Sequence, residues 1–285
     1  MMYIFDPTQF SEFGHQYFEG DGFSYRYQFS KKIFWQSIYI PFGPNCDSSS
    51  GFDNFIKHIK SKRLTRVKID LPMIYNPKQS LWVTKKLKEN GFKKTNYVQD
   101  DETIIVINDD LLKMQGSDMK RVRYGLKRAD VVIKNSITNK EIDSIYEVYL
   151  VAMARLGVKP KDKTVFEKLS ENCLVSLAYG KDSKKLDGFL LGYLINTDLS
   201  SIVGGSAENL LLLILTGLTD KGREAKLGHA MHYELFKSAF EKYDVDVVDF
   251  HGASRKKGRS YVDFKTIFSK RFISLSGSFT RTRIF

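Results

Sequence analysis

Near the end of the chain, Val262-Asp263-Phe264-Lys265-Thr266-Ile267-Phe268 sets one lysine among apolar residues. Phe264, Ile267 and Phe268 have the spacing of one buried helical face, with Lys265 directed elsewhere. A lysine held in such surroundings is a fixed cation, able to neutralise an oxyanion or hold a phosphate. An ordinary solvated lysine is the competing reading. A basic patch of Arg255, Lys256, Lys257 and Arg259 precedes the segment. Asp249-Phe250-His251-Gly252 closes a strand-like run, where Asp249 or His251 can serve as a base or orient an amine. The same pair can equally be a strand end satisfied by loop N–H groups.

Two other segments suit phosphate. Arg223-Glu224-Ala225-Lys226-Leu227-Gly228-His229-Ala230 lies near the start of a helical pattern. Helix N-termini offer unpaired N–H groups and the positive dipole end to anions. A basic helix carries Lys120, Arg121, Arg123, Lys127 and Arg128, either to lie on a phosphate backbone or to face solvent. His229 and His232 have a metal-compatible spacing of three, but no third ligand is evident, so no metal is expected. There is no Gly-x-Ser-x-Gly elbow and no Walker loop, and Gly204-Gly205-Ser206 lacks the elbow pattern.

These groups need a scaffold. With 285 residues, 42% of them hydrophobic, the chain can build two domains with real cores. Lys and Arg outnumber Asp and Glu by 45 to 33, a net charge of +12 that favours RNA, nucleotide phosphates, lipid pyrophosphates or an anionic membrane face. A basic surface that only aids solubility is the alternative. Cys46 and Cys173 form neither a disulfide framework nor a zinc pattern and suit a reduced, cytosolic protein. The N-terminus shows no secretory pattern. The longest apolar stretch, Leu210 to Leu215, falls far short of the ~20 residues a membrane span needs. The expected location is cytoplasmic, with peripheral contact at the inner membrane face open.

Periodicity and turn chemistry predict a short helix over Gln9 to Tyr17. Strands follow over Ser24 to Phe29 and Ile33 to Ile40, then a polar loop over Asn45 to Ser50. Helices are expected over Gly51 to Lys62 and Ser80 to Asn90, with strands over Arg66 to Leu71 and Thr103 to Ile107. The basic helix runs from Met119 to Ala129 and the next strand from Val131 to Ile133. In the second half, helices over Asn139 to Gly157 and Thr164 to Ser170 precede strands Cys173 to Tyr179, Asp187 to Ile195 and Ser201 to Ala207. One helix from Lys221 to Tyr243, a strand Val245 to Phe250, a strand Arg271 to Ser276 and a possible last strand in Phe279 to Phe285 complete the pattern. The fold class is α/β, two similar units each with a mixed sheet flanked by helices.

Several segments resemble, in order, the Fem-type peptidoglycan-bridge aminoacyltransferases, which are built as two fused GNAT units. Tyr39-Ile40-Pro41-Phe42-Gly43-Pro44 is similar to the family's Y-x-P-x-G-P, and Lys68-Ile69-Asp70-Leu71-Pro72 to its following strand. Gly91-Phe92-Lys93-Lys94 with Thr103-Ile104-Ile105-Val106, the stretch Met119 to Ala129 with Val131, and Tyr149 with Arg155-Leu156-Gly157 resemble further landmarks. Phe264-Lys265 with Phe268 matches F-K-x-x-F. Gln99-Asp100-Asp101 replaces the usual Gln-Pro, Thr266 to Ser269 lacks the glycine-rich tail, and no long charged helical hairpin is apparent. Arg223 and Gly228 resemble the first and last positions of the coenzyme A pyrophosphate cradle of GNAT acetyltransferases, but Lys226 stands where a glycine belongs and its side chain blocks close backbone approach.

The resemblance implies two tandem GNAT-like domains: an acceptor-side unit over residues 1–138, joined by the strand 277–285, and a donor-side unit over 139–276. It implies transfer of an amino acid from aminoacyl-tRNA to an amine of a muropeptide or lipid-linked peptidoglycan precursor. No cofactor is implied beyond the charged tRNA as co-substrate. The matching lysine, Lys265, is implied to stabilise charge at the reacting carbonyl and the leaving tRNA 3′ end, and Asp249 and His251 stand beside it as further catalytic candidates. Phe264, Arg223, Gly228, Arg255 and Lys256 fall to the donor, and Lys120, Arg121 and Arg123 to the acceptor or its phosphates. An acyl-CoA-dependent N-acyltransferase on the same fold and a non-catalytic RNA-binding protein are the alternatives.

Overall fold

The computed structural model describes residues 16–32, 35–40, 43–71, 77–95, 102–168, 173–196, 199, 203, 206–252, 259–274 and 277–282. The first part of the chain is a meander: β1 (Gln16–Gly20), β2 (Phe23–Lys32), β3 (Trp35–Ile40) and β4 (Asn45–Cys46). Of the helix expected over Gln9 to Tyr17, most lies outside the described residues, and its last two positions begin β1. Helix α1 (Ser49–Ser61) starts earlier than its apolar periodicity suggests, because the Ser48 hydroxyl accepts from the Gly51 N–H and caps it. Phe52, Phe55, Ile56 and Ile59 are its buried face. Then follow β5 (Arg66–Asp70), α2 (Pro77–Glu89) and β6 (Lys93–Thr95). Gly91, at φ 82°, closes α2 with the Phe92 N–H returning to Leu87.

The chain then enters a second sheet through β7 (Glu102–Val106), α3 (Asn108–Leu112), α4 (Gly116–Leu126) and β8 (Ala129–Lys134). Helix α5 (Asn139–Leu156) has a reciprocal cap between Thr138 and Glu141 and ends on left-handed Gly157. After α6 (Thr164–Lys168) come β9 (Cys173–Gly180), β10 (Leu186–Asn196), β11 (Asn209–Leu218), α7 (Asp220–Glu224), α8 (Leu227–Lys242), β12 (Val247–Asp249), α9 (Arg259–Lys265), β13 (Arg271–Ser274) and β14 (Ser278–Thr282).

Two mixed sheets result. The first has the order β1-β2-β3-β5-β14-β6, with β4 beside β2; the second is β13-β7-β12-β11-β10-β9-β8. Each contains one parallel pair, β3 with β5 and β11 with β12, joined by a helical crossover as parallel pairing requires. The sheets divide the chain elsewhere than residue 138: the crossing from first to second falls between β6 and β7, so β7, α3, α4 and β8 belong with the second sheet. Strand β14 lies in the first sheet between β5 and β6. There the buried Asp70 carboxylate accepts from the Tyr39 and Ser278 hydroxyls.

The second sheet is covered on both faces. Phe189 and Leu191 of β10 belong to the core that includes Ile145 and Val148 of α5, and Leu190 to the core that includes Met231 and Leu235 of α8. That double burial explains why β9 and β10 read as continuous apolar runs. The run Leu210 to Leu215 is also strand, the centre of β11. The strand expected over Ser201 to Ala207 is therefore corrected: of its described residues, Val203 is helical and Ser206 and Ala207 lie in a bend and loop. No helix among the described residues is long and apolar enough to cross a membrane.

Candidate active site between two parting strands

β11 and β12 run parallel through only three pairs, Leu210 with Val247, Leu211 with Val248 and Leu212 with Asp249. β11 then continues for six residues against β10, whereas β12 stops. Just past the last of these pairs a residue is inserted: Leu191 faces Leu215 and Gly192 faces Leu213, so Ile214 bulges out of register. On the other side the chain turns away through two left-handed residues, His251 (φ 54°) and Gly252 (φ 103°). The sheet opens into a wedge, and a strand edge facing a wedge directs backbone N–H and C=O groups into it.

A cavity of about 300 Å³ fills the wedge, lined by β11 from Leu213 to Thr216 and by His232, Phe250, His251, Phe264 and Lys265. Three of the expected site residues converge here. Asp249 is fully buried and is not a wall of the cavity. Its carboxylate accepts from the Thr103 hydroxyl of β7 and from the His251 N–H at 2.6 Å. Thr103 in turn accepts from the Gly252 N–H at 3.1 Å. Asp249 thus holds the turn that carries His251. His251, half-buried, lines the cavity itself.

Lys265 is 5% exposed. It ends α9, and its ammonium donates to the carbonyl of Phe250 at 3.0 Å and to that of Gly252. It is a fixed cation on the cavity wall, but it is also a structural clamp on the turn. Phe264 is half-buried and walls the cavity, and Phe268 is fully buried against Phe236 and Phe250.

His232, considered only as half of a metal pair, is part of this wall. Its Nδ1–H donates to the Gly228 carbonyl at 2.7 Å, leaving Nε2 as the ring's acceptor. Burial, reinforced by the charges of Lys265 and His229, pulls its pKa down to about 3, so the imidazole is neutral at physiological pH. His229 and His232 both meet the Phe264 ring edge-on, with centroids 4.9 and 5.0 Å away. Among the described residues, no group of three metal-ligating side chains gathers.

The single helix expected from Lys221 to Tyr243 is broken. α7 ends at Glu224 with Ala225 as its C-cap, Lys226 takes a left-handed conformation at φ 55°, and α8 begins at Leu227. Arg223 and Gly228 therefore lie on different helices. Arg223 is exposed; Gly228 is buried, and a side chain there would meet Leu218 and Phe264 at ordinary contact distances of 3.5 to 3.7 Å. Arg255 and Lys256 lie outside the described residues. Lys120, Arg121 and Arg123 are all exposed on α4, but on different flanks. Arg121 borders a cavity shared with Lys226, His229 and Phe264, and Arg123 borders another shared with Tyr233 and Lys237 of α8.

Thr103 could not be found from sequence, since 146 positions separate it from Asp249. His232 had a signal, a histidine amid the apolar spacing of α8, but one that does not tell a cavity wall from a core histidine.

No protein-family model matches the sequence, and no curated protein does. Solved structures do match. FemX superposes with a TM-score of 0.68 at 16% identity, over 97% of this chain and 91% of FemX. L-PGS from Bacillus licheniformis gives 0.63 at 12% identity, over 94% and 84% of the two chains. A tandem GNAT protein from the clavulanic acid biosynthesis pathway gives 0.53 at 9% identity, over 91% and 78%. The fold is a Fem-like tandem GNAT fold.

Proposed function

We propose that this chain is an aminoacyltransferase that moves an amino acid from aminoacyl-tRNA to an amine of a peptidoglycan precursor, without a bound cofactor. The observation that carries the reading is Lys265, a cation held by two backbone carbonyls on the wall of a strand-parting cavity. The acceptor amine attacks the ester carbonyl of the charged tRNA; a C–N bond forms and the C–O bond to the ribose breaks. Negative charge developing on the carbonyl oxygen meets the field of Lys265 and the N–H groups along the β11 edge, fixed donors of the kind worth ~2.7–4 kcal/mol each in a transition state. His251, on the cavity wall, passes the amine proton toward the departing ribose oxygen. The neutral His232 keeps a second positive charge from building beside Lys265. The net charge of +12 suits a polyanionic donor. Such a reaction takes place in the cytoplasm, at the inner membrane face when the acceptor is lipid-linked.

The test is incubation with charged tRNA and a muropeptide precursor, followed by mass spectrometry. One added aminoacyl residue, lost when the tRNA is deacylated beforehand, is the expected result. Transfer from acyl-CoA but not from charged tRNA would replace this reading with the N-acyltransferase one.

A further inference from the structure

In the first sheet the β2–β3 hairpin runs past its neighbours. Among the described residues β1 pairs with β2 only as far as Tyr27, and β5 pairs with β3 only from Ser37. Beyond those points β2 and β3 continue together to the pair Lys32 and Trp35, as a two-stranded ribbon. By sequence only Ile33 and Phe34 separate that last pair, an apolar step where hairpin turns favour Asn, Asp and Gly. The ribbon carries two aromatic rings into solvent, Phe29 at 48% exposure and Trp35 at 42%. Neither ring meets another ring or a cation among the described residues. Trp35 is paired with Lys32, three residues from Phe29, so alternation puts the two rings on opposite faces of the ribbon. The charge around this end has one sign. Residues 22–46 and 54–69 hold nine lysines and arginines and no acidic residue. The two stretches meet here, where the Gln36 N–H donates to the Thr65 hydroxyl at 3.0 Å and Ser37 registers with Arg66. Lys31, Arg63 and Arg66 are exposed and form no ion pair among the described residues. The Asp47 carboxylate lies at the other end of β2, against Gly22.

We infer that this end of the first sheet is a docking surface for an anionic lipid bilayer, which the ribbon enters end-on. A tryptophan ring is amphipathic and settles at headgroup level, with its apolar body toward the acyl chains. Each lysine or arginine close to an anionic leaflet strengthens binding about five-fold. Phe29 stands about 10 Å along the strand from Lys32, the depth to which interfacial elements are buried, so both rings leave water when the ribbon enters. Arg66, in register with Ser37 and through it with Ser30, lies between the levels of the two rings, where lipid phosphates are met. A nucleic-acid strand is the poorer occupant. It would stack on one face of the ribbon and leave the ring on the other face in water. The surface goes beyond the transfer reading and does not depend on it, since none of its residues lines the cavity at Lys265.

The experiment is co-sedimentation of the full chain with vesicles of phosphatidylcholine alone or mixed with phosphatidylglycerol, in the absence of tRNA and of any peptidoglycan precursor. The chain should pellet with the mixed vesicles, far less with phosphatidylcholine, and less as salt rises. Trp35→Ala and Phe29→Ser should each weaken binding by about ten-fold or more. Lys31→Gln and Arg66→Gln should each weaken it about five-fold. Leu156→Ser, at a comparably exposed site on α5, should change nothing. Circular dichroism should show every variant folded. Trp82→Phe leaves Trp35 as the sole tryptophan, and its emission should shift to the blue on mixed vesicles and be quenched by brominated lipid. Equal binding to both kinds of vesicle, binding untouched by Trp35→Ala and Phe29→Ser, or a Trp35 emission that vesicles do not move overturns the inference. So does a loss of binding to a single-stranded RNA in these variants while vesicle binding stays intact. Because the vesicles carry no acceptor, vesicle binding alongside absent transfer would refute the proposed reaction and leave the surface standing; transfer to a soluble muropeptide without vesicle binding would refute the surface alone.

Discussion

Replacing Lys265 with Met separates the clamp from the charge. Methionine keeps an unbranched apolar stem of similar reach and removes only the ammonium. Two carbonyls, those of Phe250 and Gly252, then lose a charged donor in a site where Lys265 is 5% exposed. Each such hydrogen bond is worth ~1.5–3 kcal/mol, against which stands the relief of no longer burying a cation. The balance is a loss of about 1–3 kcal/mol, a fall in melting temperature of roughly 3–10 °C for a chain of this size. A solvent-facing lysine would change stability by no more than ~0.5 kcal/mol. His232, whose pKa Lys265 helps to hold at about 3, should titrate higher in the variant. Thermal unfolding followed by circular dichroism measures the first effect, and imidazole NMR resonances followed through an acid titration measure the second. Transfer from charged tRNA, measured on the folded fraction, should fall by 10²–10³. A melting temperature within a degree of the parent's and an unmoved His232 would show that the ammonium does not hold the turn. Full activity in a folded variant would remove Lys265 from the chemistry.

The pH dependence of stability follows from His232. Its pKa is near 6.5 unfolded and about 3 folded, so its contribution is fully present above pH 6.5 and is lost as pH falls toward 3, by about 1.4 kcal/mol per unit. Urea unfolding of His232→Phe should show a flatter profile between pH 6 and 4, and identical slopes for the two proteins would count against the buried neutral imidazole. Gly125→Ala should destabilise by about 1–3 kcal/mol through the clash with Ala230 and the Lys226 carbonyl, although alanine ordinarily improves a helix interior; a rise in the urea midpoint would show that α4 and α8 can move apart without cost.

Local information sufficed wherever one segment's pattern has one outcome. The apolar spacing of Phe52, Phe55, Ile56 and Ile59 marks α1, the Thr138–Glu141 pair marks the start of α5, and Gly157 marks its end. Phe264-Lys265, singled out in the sequence, comes to line the cavity. The apolar run Leu210 to Leu215 was a different case. It carries no period that distinguishes strand from buried helix, and only the sheet on both its sides makes it β11. Sheet membership was hidden for the same reason, because β7 and β8 show nothing locally of which sheet they will join. Most of the candidate site is a property of the tertiary structure. Where β12 stops while β11 continues is decided by the left-handed turn at His251 and Gly252, and that turn is held by Thr103 and Asp249 from 146 positions apart and by Lys265 from below. Lys265 itself shows the division most clearly. Its residue type announces a cation, but whether that cation meets water or two buried carbonyls depends on which backbone folds over it, and no pattern within seven residues carries that information.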